Sequence, residues 1–508
     1  MKRTITVATA LSIVAAASAA NPSQPNVVII YADDLGFGDV SCYNPRGKII
    51  TSNIDALAQK GVRFIDAHTS SSISSPSRYG LLTGQYSWRT DLKRGNPVSG
   101  NELWIDPDRL TIASLLDGAG YNTAAIGKWG LGANYSAAAR PGREGFDFSP
   151  EAIDYSKPIP SAQLIGFDYE SLHRWYGVNS YAKYYQYSEA DGGRKYKDGG
   201  RWYIENGMSR DGDPQFEKFD MEEAQMFYIQ KTVEYIKAAG GKGKKNPNFN
   251  IEKGKPFFVY YAPHIPHHPH VPADQFKGTS SVGVYGDFIM QLDWAVGQIV
   301  DALEKIGQLD NTIIIFGSDN GPEYQAYNRI DQYDHESMMD FRGVKRDIYQ
   351  GGHTTPFIIS YPHAKENGRV SDRLVSLTDV LATLSDIIGI DYNTEKFAED
   401  SYSFADEIMD VEVKDSRKMA IHHSADGNLA LRSGDWVLIN NIQGNDTAEP
   451  EWFRERIGAE NIGTVCELFN LKSDPKQTTN VINEYPEKAT ELQKELLRYV
   501  FEGRTRFL

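Results

Sequence analysis

The sequence predicts an α/β fold: a mostly parallel central sheet with helices on both faces, plus a smaller C-terminal subdomain with an antiparallel sheet and helix. Three observations carry this expectation. Unbroken apolar runs at 27–31, 257–261 and 312–316 have the composition of strands buried on both faces. Between them lie amphipathic stretches of helical period, and strands alternating with helices give a parallel sheet covered on two sides. After about residue 410 the pattern changes to short strands separated by turns. The expected division is a removable leader at 1–20, a large α/β domain at 21–410 and the smaller subdomain at 411–508.

The leader rests on Lys2 and Arg3, the apolar run 5–17 and the small residues Ala17-Ser18-Ala19, the pattern of a secretory signal peptide cut after Ala19 or Ala20. The run is too short to span a bilayer, no Cys follows it to carry a lipid, and no other segment reads as a membrane span. An exported protein, periplasmic or secreted and soluble, is therefore expected. With 40% apolar and 24% charged residues among 508, the chain can bury a core without staples. Losing Lys2 and Arg3 leaves 51 basic against 68 acidic residues, a formal charge of −17. Such a surface repels nucleic acid and anionic lipid, so neither nucleic acid nor membrane is an expected partner, and any anionic substrate needs a local basic pocket. Two cysteines, Cys42 and Cys466, do not make a disulfide framework, and their pairing stays open.

The elements follow in order. A short helix begins at 53–59. The stretch 166–203, rich in Tyr and Trp without a clean period, reads as a long insertion. Met226, Ile229, Val233 and Ile236 mark a helix, and 240–254 is a polar surface loop. Ile289, Leu292, Val296, Ile299 and Leu303 mark another helix, with Gly307 as its C-cap. A helix pattern at 377–388 precedes strands at 420–423, 428–432 and 436–439, with a turn at Ser433-Gly434-Asp435. A helix at 486–500 closes the chain.

Three segments carry chemistry. Asp33 and Asp34 follow the run 27–31, and Asp319-Asn320-Gly321 follows 312–316 in the same way. Carboxyl ends of parallel strands are where α/β sheets place ligands. Three carboxylates and an amide oxygen make a hard, all-oxygen set that favours Ca²⁺ or Mg²⁺ over Zn²⁺, and calcium tolerates irregular geometry better. In Ser74-Ser75-Pro76-Ser77-Arg78, Pro76 suits a first helical turn with Ser75 as cap. Ser74 then lies just before a helix N-terminus, which favours an anion, and Arg78 one turn in can point back at it.

The sequence Ser74-x-Pro76-Ser77-Arg78 with Leu81-x-Thr83-Gly84 resembles the maturation signature of type I sulfatases, in the alkaline phosphatase superfamily. Matching segments spread over most of the chain: Ala32-Asp33-Asp34-Leu35-Gly36, Gly127-Lys128-Trp129, Ala262-Pro263-His264, Ser318-Asp319-Asn320-Gly321, Gly343-x-Lys345 running into Gly351-Gly352, and Leu468-Phe469-Asn470-Leu471. The resemblance implies that 21–410 is a catalytic sulfatase domain and that Ser74 is oxidised to formylglycine. The Ser form implies a radical-type maturase acting before folding. A hydrated aldehyde offers two hydroxyls on one carbon, one to take the sulfate and one to expel it, an exit that a sulfated serine lacks. By the same resemblance Asp33, Asp34, Asp319, Asn320 and the modified residue 74 hold Ca²⁺, Arg78, Lys128 and Lys345 neutralise sulfate charge, and His264 is the general acid. One departure stands out. Where the family has His in Gly-Lys-Trp-His-Leu-Gly, this chain has Gly130, and His68 and His353 are the candidates from nearby motifs to stand in.

For the substrate, the run His264-Ile265-Pro266-His267-His268-Pro269-His270 is read as extended, with side chains that diverge. His267 or His268 is expected to bind a sugar hydroxyl, and His353 is counted on the substrate side. His173, Arg174 and the tyrosines and tryptophan after them are the expected specificity wall, aromatic rings stacking on sugar faces. Export points to a sulfated carbohydrate. Two other readings compete: a phosphatase or phosphodiesterase with an unmodified nucleophile between two zinc ions, and a non-catalytic sulfated-glycan binder.

Overall fold

A computed structural model describes residues 24–91, 93–96, 103–134, 137, 157–173, 203–206, 208–209, 221–460 and 463–506. The expected leader, and most of the aromatic stretch read as an insertion with Arg174, lie outside the described residues.

Strands β1 (Asn26–Ala32), β2 (Gly61–Phe64), β3 (Ala67–His68), β4 (Asn122–Lys128), β5 (Tyr169–His173), β6 (Tyr203–Glu205), β7 (Met208–Ser209), β8 (Phe257–Ala262), β9 (Thr312–Ser318), β10 (Phe357–Ser360), β11 (Arg369–Ser371) and β12 (Val375–Ser376) build the large domain. Ten of them form one sheet in the order β11-β2-β10-β9-β1-β8-β4-β5-β6-β7, while β3 and β12 pair separately. The middle, β9-β1-β8-β4-β5, is parallel. Towards the edges β10 runs antiparallel to β9, and β6 antiparallel to β5.

Alternation along β1 explains why both faces are covered. Val28, Ile30 and Ala32 enter one apolar cluster and Val27, Ile29 and Tyr31 the other. The first cluster is closed by helices α1 (Ser52–Gln59), α4 (Met221–Ala239) and α5 (Gly283–Ile306), the second by α2 (Ser74–Thr83), α3 (Ile112–Gly118) and α6 (Val380–Ile388). Gly307 caps α5 in the left-handed region at φ 70°, as the sequence predicts.

Two central strands differ from the sequence expectation. β4 reads Asn-Thr-Ala-Ala-Ile-Gly-Lys, too poor in large apolar residues to show a run. β5 opens the segment read as an insertion, and its Glu170 and Ser171 interrupt any apolar pattern although both are buried. Glu170 is satisfied there by accepting hydrogen bonds from Ser161 Oγ (2.9 Å) and the Gln163 N–H (3.2 Å). At the end of β4, Gly127 has φ 106°, and a Cβ would meet the Ala262 carbonyl oxygen at 2.2 Å. Only glycine lets β4 lie this close to β8 and deliver Lys128 at the sheet's edge.

The C-terminal strands β13 (Met419–His423), β14 (Leu429–Ser433), β15 (Trp436–Ile439) and β16 (Glu467–Asn470) form an antiparallel sheet in that order. Helix α7 (Pro486–Phe501) packs Leu492, Leu496 and Tyr499 onto Leu431, Leu438 and Leu468, in a cluster that also holds Tyr86 and Trp88 from the segment after α2. Arg417 reinforces this junction. It donates to Asp379 Oδ2 at 2.7 Å and Oδ1 at 2.5 Å, and to the Tyr86 hydroxyl at 3.1 Å, all buried. Arg417→Ala leaves the Asp379 carboxylate buried without its cation, so the expected loss is about 3–5 kcal/mol of stability, measured by denaturant unfolding. A loss under about 1 kcal/mol would show the pair to be dispensable.

Candidate active site

Strand register assembles the site. β1 and β9 are paired Ala32 with Ser318, so the next residues, Asp33 and Asp319, leave the sheet side by side. β1 and β8 are paired Ile30 with Tyr261, and three residues on in each chain Asp33 meets His264. The His264 Nδ1 lies 3.0 Å from Asp33 Oδ2. Lys128, at the tip of β4, reaches the same carboxylate with Nζ at 2.8 and 2.6 Å from its two oxygens. Lys345 Nζ donates to Asp34 Oδ2 at 2.8 Å.

Helix α2 begins at Ser74 with Ile73 as N-cap, two residues earlier than the expected cap at Ser75, so Ser74 lies in the first turn rather than just before it. Ser74 Oγ donates to Asp319 Oδ2 at 2.5 Å and accepts from Arg78 Nε at 3.0 Å. Arg78 points back one turn as expected, and its Nη2 binds Asp319 Oδ2 at 2.7 Å. Its Nη1 reaches the Tyr260 hydroxyl at 3.1 Å, and its guanidinium lies 5.3 Å from the centre of the Tyr31 ring. Ser74 is 3% exposed and Arg78 fully buried. The structure thus brings Asp33, Asp34, Ser74, Arg78, Lys128, His264, Asp319, Asn320 and Lys345 together at the carboxyl end of the sheet.

Asp33, Asp34 and Asp319 each offer a carboxylate oxygen, all within 4.8 Å of one another, a grouping able to hold a metal ion. Asn320 Nδ2 donates to Asp34 Oδ1 at 2.8 Å and to the Gly321 carbonyl at 2.9 Å, which fixes the amide. Its Oδ1 is buried without a hydrogen-bond partner among the described residues, an acceptor left over for a cation. The residues present therefore fit a hard divalent ion.

The electrostatics agree. Burial pushes the Asp33 carboxyl up, but Lys128 above all, and His267, His264 and Arg78 with it, hold it well below the usual range. Asp34 is pushed up to about 7: burial and the neighbouring Asp33, Glu323 and Asp319 outweigh Lys345. A divalent ion binding there must displace that proton. Calcium affinity is expected to fall about tenfold per pH unit below about 7 and to level off above it, as titration calorimetry between pH 6 and 8 would show. Affinity independent of pH over that range would contradict the Asp34 assignment. Burial lowers the pKa of His264, more than the adjoining Asp33 raises it.

Other expectations fare differently. His267 is buried beside the aspartates, its Nε2 3.6 Å from Asp34 Oδ2. The His264–His270 side chains do not diverge. The His264 and His267 rings lie 4.6 Å apart, with ring nitrogens 3.1 and 2.6 Å from the same His268 carbonyl. His268 stacks on His270 at 3.9 Å. A bend gathering side chains around one carbonyl replaces the extended path. His353 is buried against His68 and His422, and among the described residues none of its contacts is with residue 74 or the aspartate cluster. This corrects its placement on the substrate side, and His68 sits in the same separate cluster. The His173 backbone is the register partner of Lys128, while its side chain and Arg174 lie outside the described residues. At Gly130, a Cβ would meet Ser75 Oγ at 3.3 Å and Arg78 Cδ at 3.8 Å, so the position borders the site.

Glu323 is a site residue that sequence reasoning missed. Its Oε1 is 3.3 Å from Lys345 Nζ, and Arg346 holds both its oxygens. The signal available was its place three residues beyond Asn320 on the same loop.

The sulfatase family model matches residues 25–390, and the chain belongs to that family, whose members hydrolyse sulfate esters. It is 32% identical to N-acetylgalactosamine-6-O-sulfatase of Bacteroides thetaiotaomicron over 528 aligned positions, covering 94% of each protein. It is 28% identical to arylsulfatase A of Bos taurus, over 98% of this chain and 92% of that one. A solved Bacteroides thetaiotaomicron structure, from a study of the metabolism of multiple glycosaminoglycans, superposes with a TM-score of 0.73 at 28% identity, covering 94% of this chain and 100% of that chain. Among the described residues, no helix is long and apolar enough to cross a membrane.

Proposed function

We propose that the protein removes sulfate from a sulfated carbohydrate, with position 74 as the nucleophile in its formylglycine form and Ca²⁺ as its metal. The observation that supports this best is the convergence of Ser74, Arg78, Lys128, His264 and Lys345 on Asp33, Asp34 and Asp319. The relative that acts on N-acetylgalactosamine 6-sulfate makes that sugar the first substrate to test.

Charge bookkeeping explains how a negatively charged protein takes an anion. Four carboxylates, Asp33, Asp34, Asp319 and Glu323, face four cations, Arg78, Lys128, Lys345 and Arg346. The cluster is balanced, so a divalent ion makes it locally positive by two charges and it draws a sulfate monoester. Bound calcium would polarise a sulfate oxygen, held by Asp33, Asp34, Asp319, Asn320 and residue 74. Formylglycine, when installed, supplies the hydroxyl pair that allows covalent transfer and release. The chain's own groups do the rest. Asp319, 2.5 Å from the residue 74 oxygen, is placed to accept its proton. Arg78 orients the same oxygen through Nε. Each lysine ammonium has three N–H donors, enough to hold its carboxylate and also meet a sulfate oxygen as charge builds up. His264 in its imidazolium form, which Asp33 favours, is the proton donor for the leaving oxygen.

Several further points belong to this reading. Ser74 is buried and doubly hydrogen-bonded, which supports maturation by a Ser-type maturase before folding. The leader at 1–20 directs export, to the periplasm or beyond. Residues 21–410 form the catalytic domain and 411–508 the C-terminal subdomain, and His267, His268 and the wall carrying His173 and Arg174 bound the sugar site. The test is turnover on a panel of position-defined sulfated mono- and oligosaccharides. Release of sulfate from at least one sugar, 6-O-sulfated N-acetylgalactosamine first, is expected. Hydrolysis confined to aryl sulfates would contradict the carbohydrate reading.

A further inference from the structure

Away from the aspartate cluster, three histidines meet where the large domain touches the C-terminal sheet. His68 ends β3, His353 ends the short helix Gln350–His353, and His422 lies in β13. They are 1%, 3% and 2% exposed. Each offers a ring nitrogen, and the three lie within 4.8 Å of one another.

We propose that His68, His353 and His422 form a second metal site, chemically suited to zinc rather than calcium, that ties the C-terminal sheet to the catalytic domain.

The outer nitrogens fix where the protons sit. His68 Nε2 is 2.8 Å from Asp66 Oδ1, His353 Nε2 is 3.1 Å from the Ile348 carbonyl, and His422 Nδ1 is 3.3 Å from the Thr69 carbonyl. Carbonyls have no hydrogen to give, so the outer nitrogens of His353 and His422 must be donors; His68 Nε2 has both Asp66 Oδ1 at 2.8 Å and Arg432 Nη1 at 3.2 Å, and the nearer carboxylate, paired through both oxygens with Arg432, takes its N–H. Three imidazoles buried this closely cannot all carry charge without a counter-ion, so they are taken as neutral. A neutral imidazole carries one N–H, so each inner nitrogen is a bare lone pair. His68 Nδ1 and His353 Nδ1 face each other at 3.0 Å, and His422 Nε2 is buried with no hydrogen-bond partner among the described residues. Lone pairs aimed at one another repel unless a cation joins them. Three histidines whose outer N–H groups are anchored by a carboxylate and two carbonyls also show the outer-shell pattern of metal-bound histidine.

The donor set chooses the metal. Imidazole nitrogens suit zinc, and with no inner carboxylate they do not suit calcium. Thr354 Oγ1, 3.3 Å from His68 Nδ1, or a water, would fill a fourth position. The His353 and His422 rings are parallel at 3.8 Å, so binding requires that stacked pair to open, and affinity is expected below that of a preformed site. The ligands come from β3, from the segment after Lys345 and from the C-terminal sheet, so an ion there would cross-link parts far apart in sequence.

The test uses the mature chain, stripped by chelator and reloaded with Ca²⁺ so that the aspartate cluster is filled. At roughly 1 µM free Zn²⁺, one equivalent per chain is expected by elemental analysis, with a rise in Tm of about 2 °C or more. His422→Gln and His353→Gln should each lose that equivalent, while Asp33→Asn keeps it, which separates this site from Asp33, His264 and His267. Co²⁺ added to the unsubstituted protein should give the visible absorption of a four-coordinate site, a reading that does not depend on the variants folding. No zinc uptake by the wild-type chain, no such cobalt spectrum, or an equivalent that survives in both histidine variants would overturn the proposal. In the first two cases the Nδ1 pair holds a shared proton instead.

Discussion

Ser74→Ala is expected to lower turnover by about 10⁴-fold or more while leaving the fold in place. Position 74 carries the oxygen held between Asp319 at 2.5 Å and Arg78 at 3.0 Å. Removing it deletes the nucleophile and the atom from which formylglycine is made. The structural cost is small, because Asp319 and Arg78 remain bonded to each other at 2.7 Å and neither is orphaned. A stability change of about 1 kcal/mol is expected. Kinetics on a sulfated sugar, alongside a thermal melt, separate the two effects. Activity near wild type would remove residue 74 from the chemistry, and a collapsed melt would mean that the hydroxyl serves the fold.

Asp319→Asn is expected to cost about 10³-fold in activity and to lose calcium together with it. One carboxylate there serves three partners: Ser74 Oγ, Arg78 Nη2 and the Asp34 N–H at 3.1 Å. Asparagine keeps the shape but removes a charge from the ligand set and leaves Arg78 without its closest anion. Calorimetry should show calcium binding weakened by about 100-fold or more, and raised calcium should restore only part of the activity. A variant with wild-type calcium affinity would contradict the assignment of Asp319 as a ligand, whatever its activity.

The sequence reveals some parts of this molecule more readily than others, for physical reasons. Strands buried on both faces must be apolar throughout, so β1, β8 and β9 show as unbroken runs, and the acidic residues just after β1 and β9 mark the sheet's carboxyl edge. β4 and β5 are as central but hide, one in alanines and the other behind a buried Glu170 whose partners lie elsewhere in the chain. Helix α2 and the backward reach of Arg78 follow from local rules and are legible to within two residues. His267, His268 and His353 are another matter. Their surroundings depend on how irregular segments bend, and no spacing rule tells a histidine beside Asp34 from one stacked on His422. Glu323 shows the same limit, since its value to Lys345 comes from a fold-back that the loop sequence does not announce.

The central claim is that residue 74 works as an oxidised side chain. The direct measurement is the mass of the tryptic peptide holding position 74, taken on active protein from a host with a Ser-competent maturase and on protein from a host without one. The account predicts a residue about two mass units lighter than serine in the active preparation, with activity rising in proportion to that fraction and absent where serine is intact. Full turnover from protein whose Ser74 is entirely unmodified would contradict it.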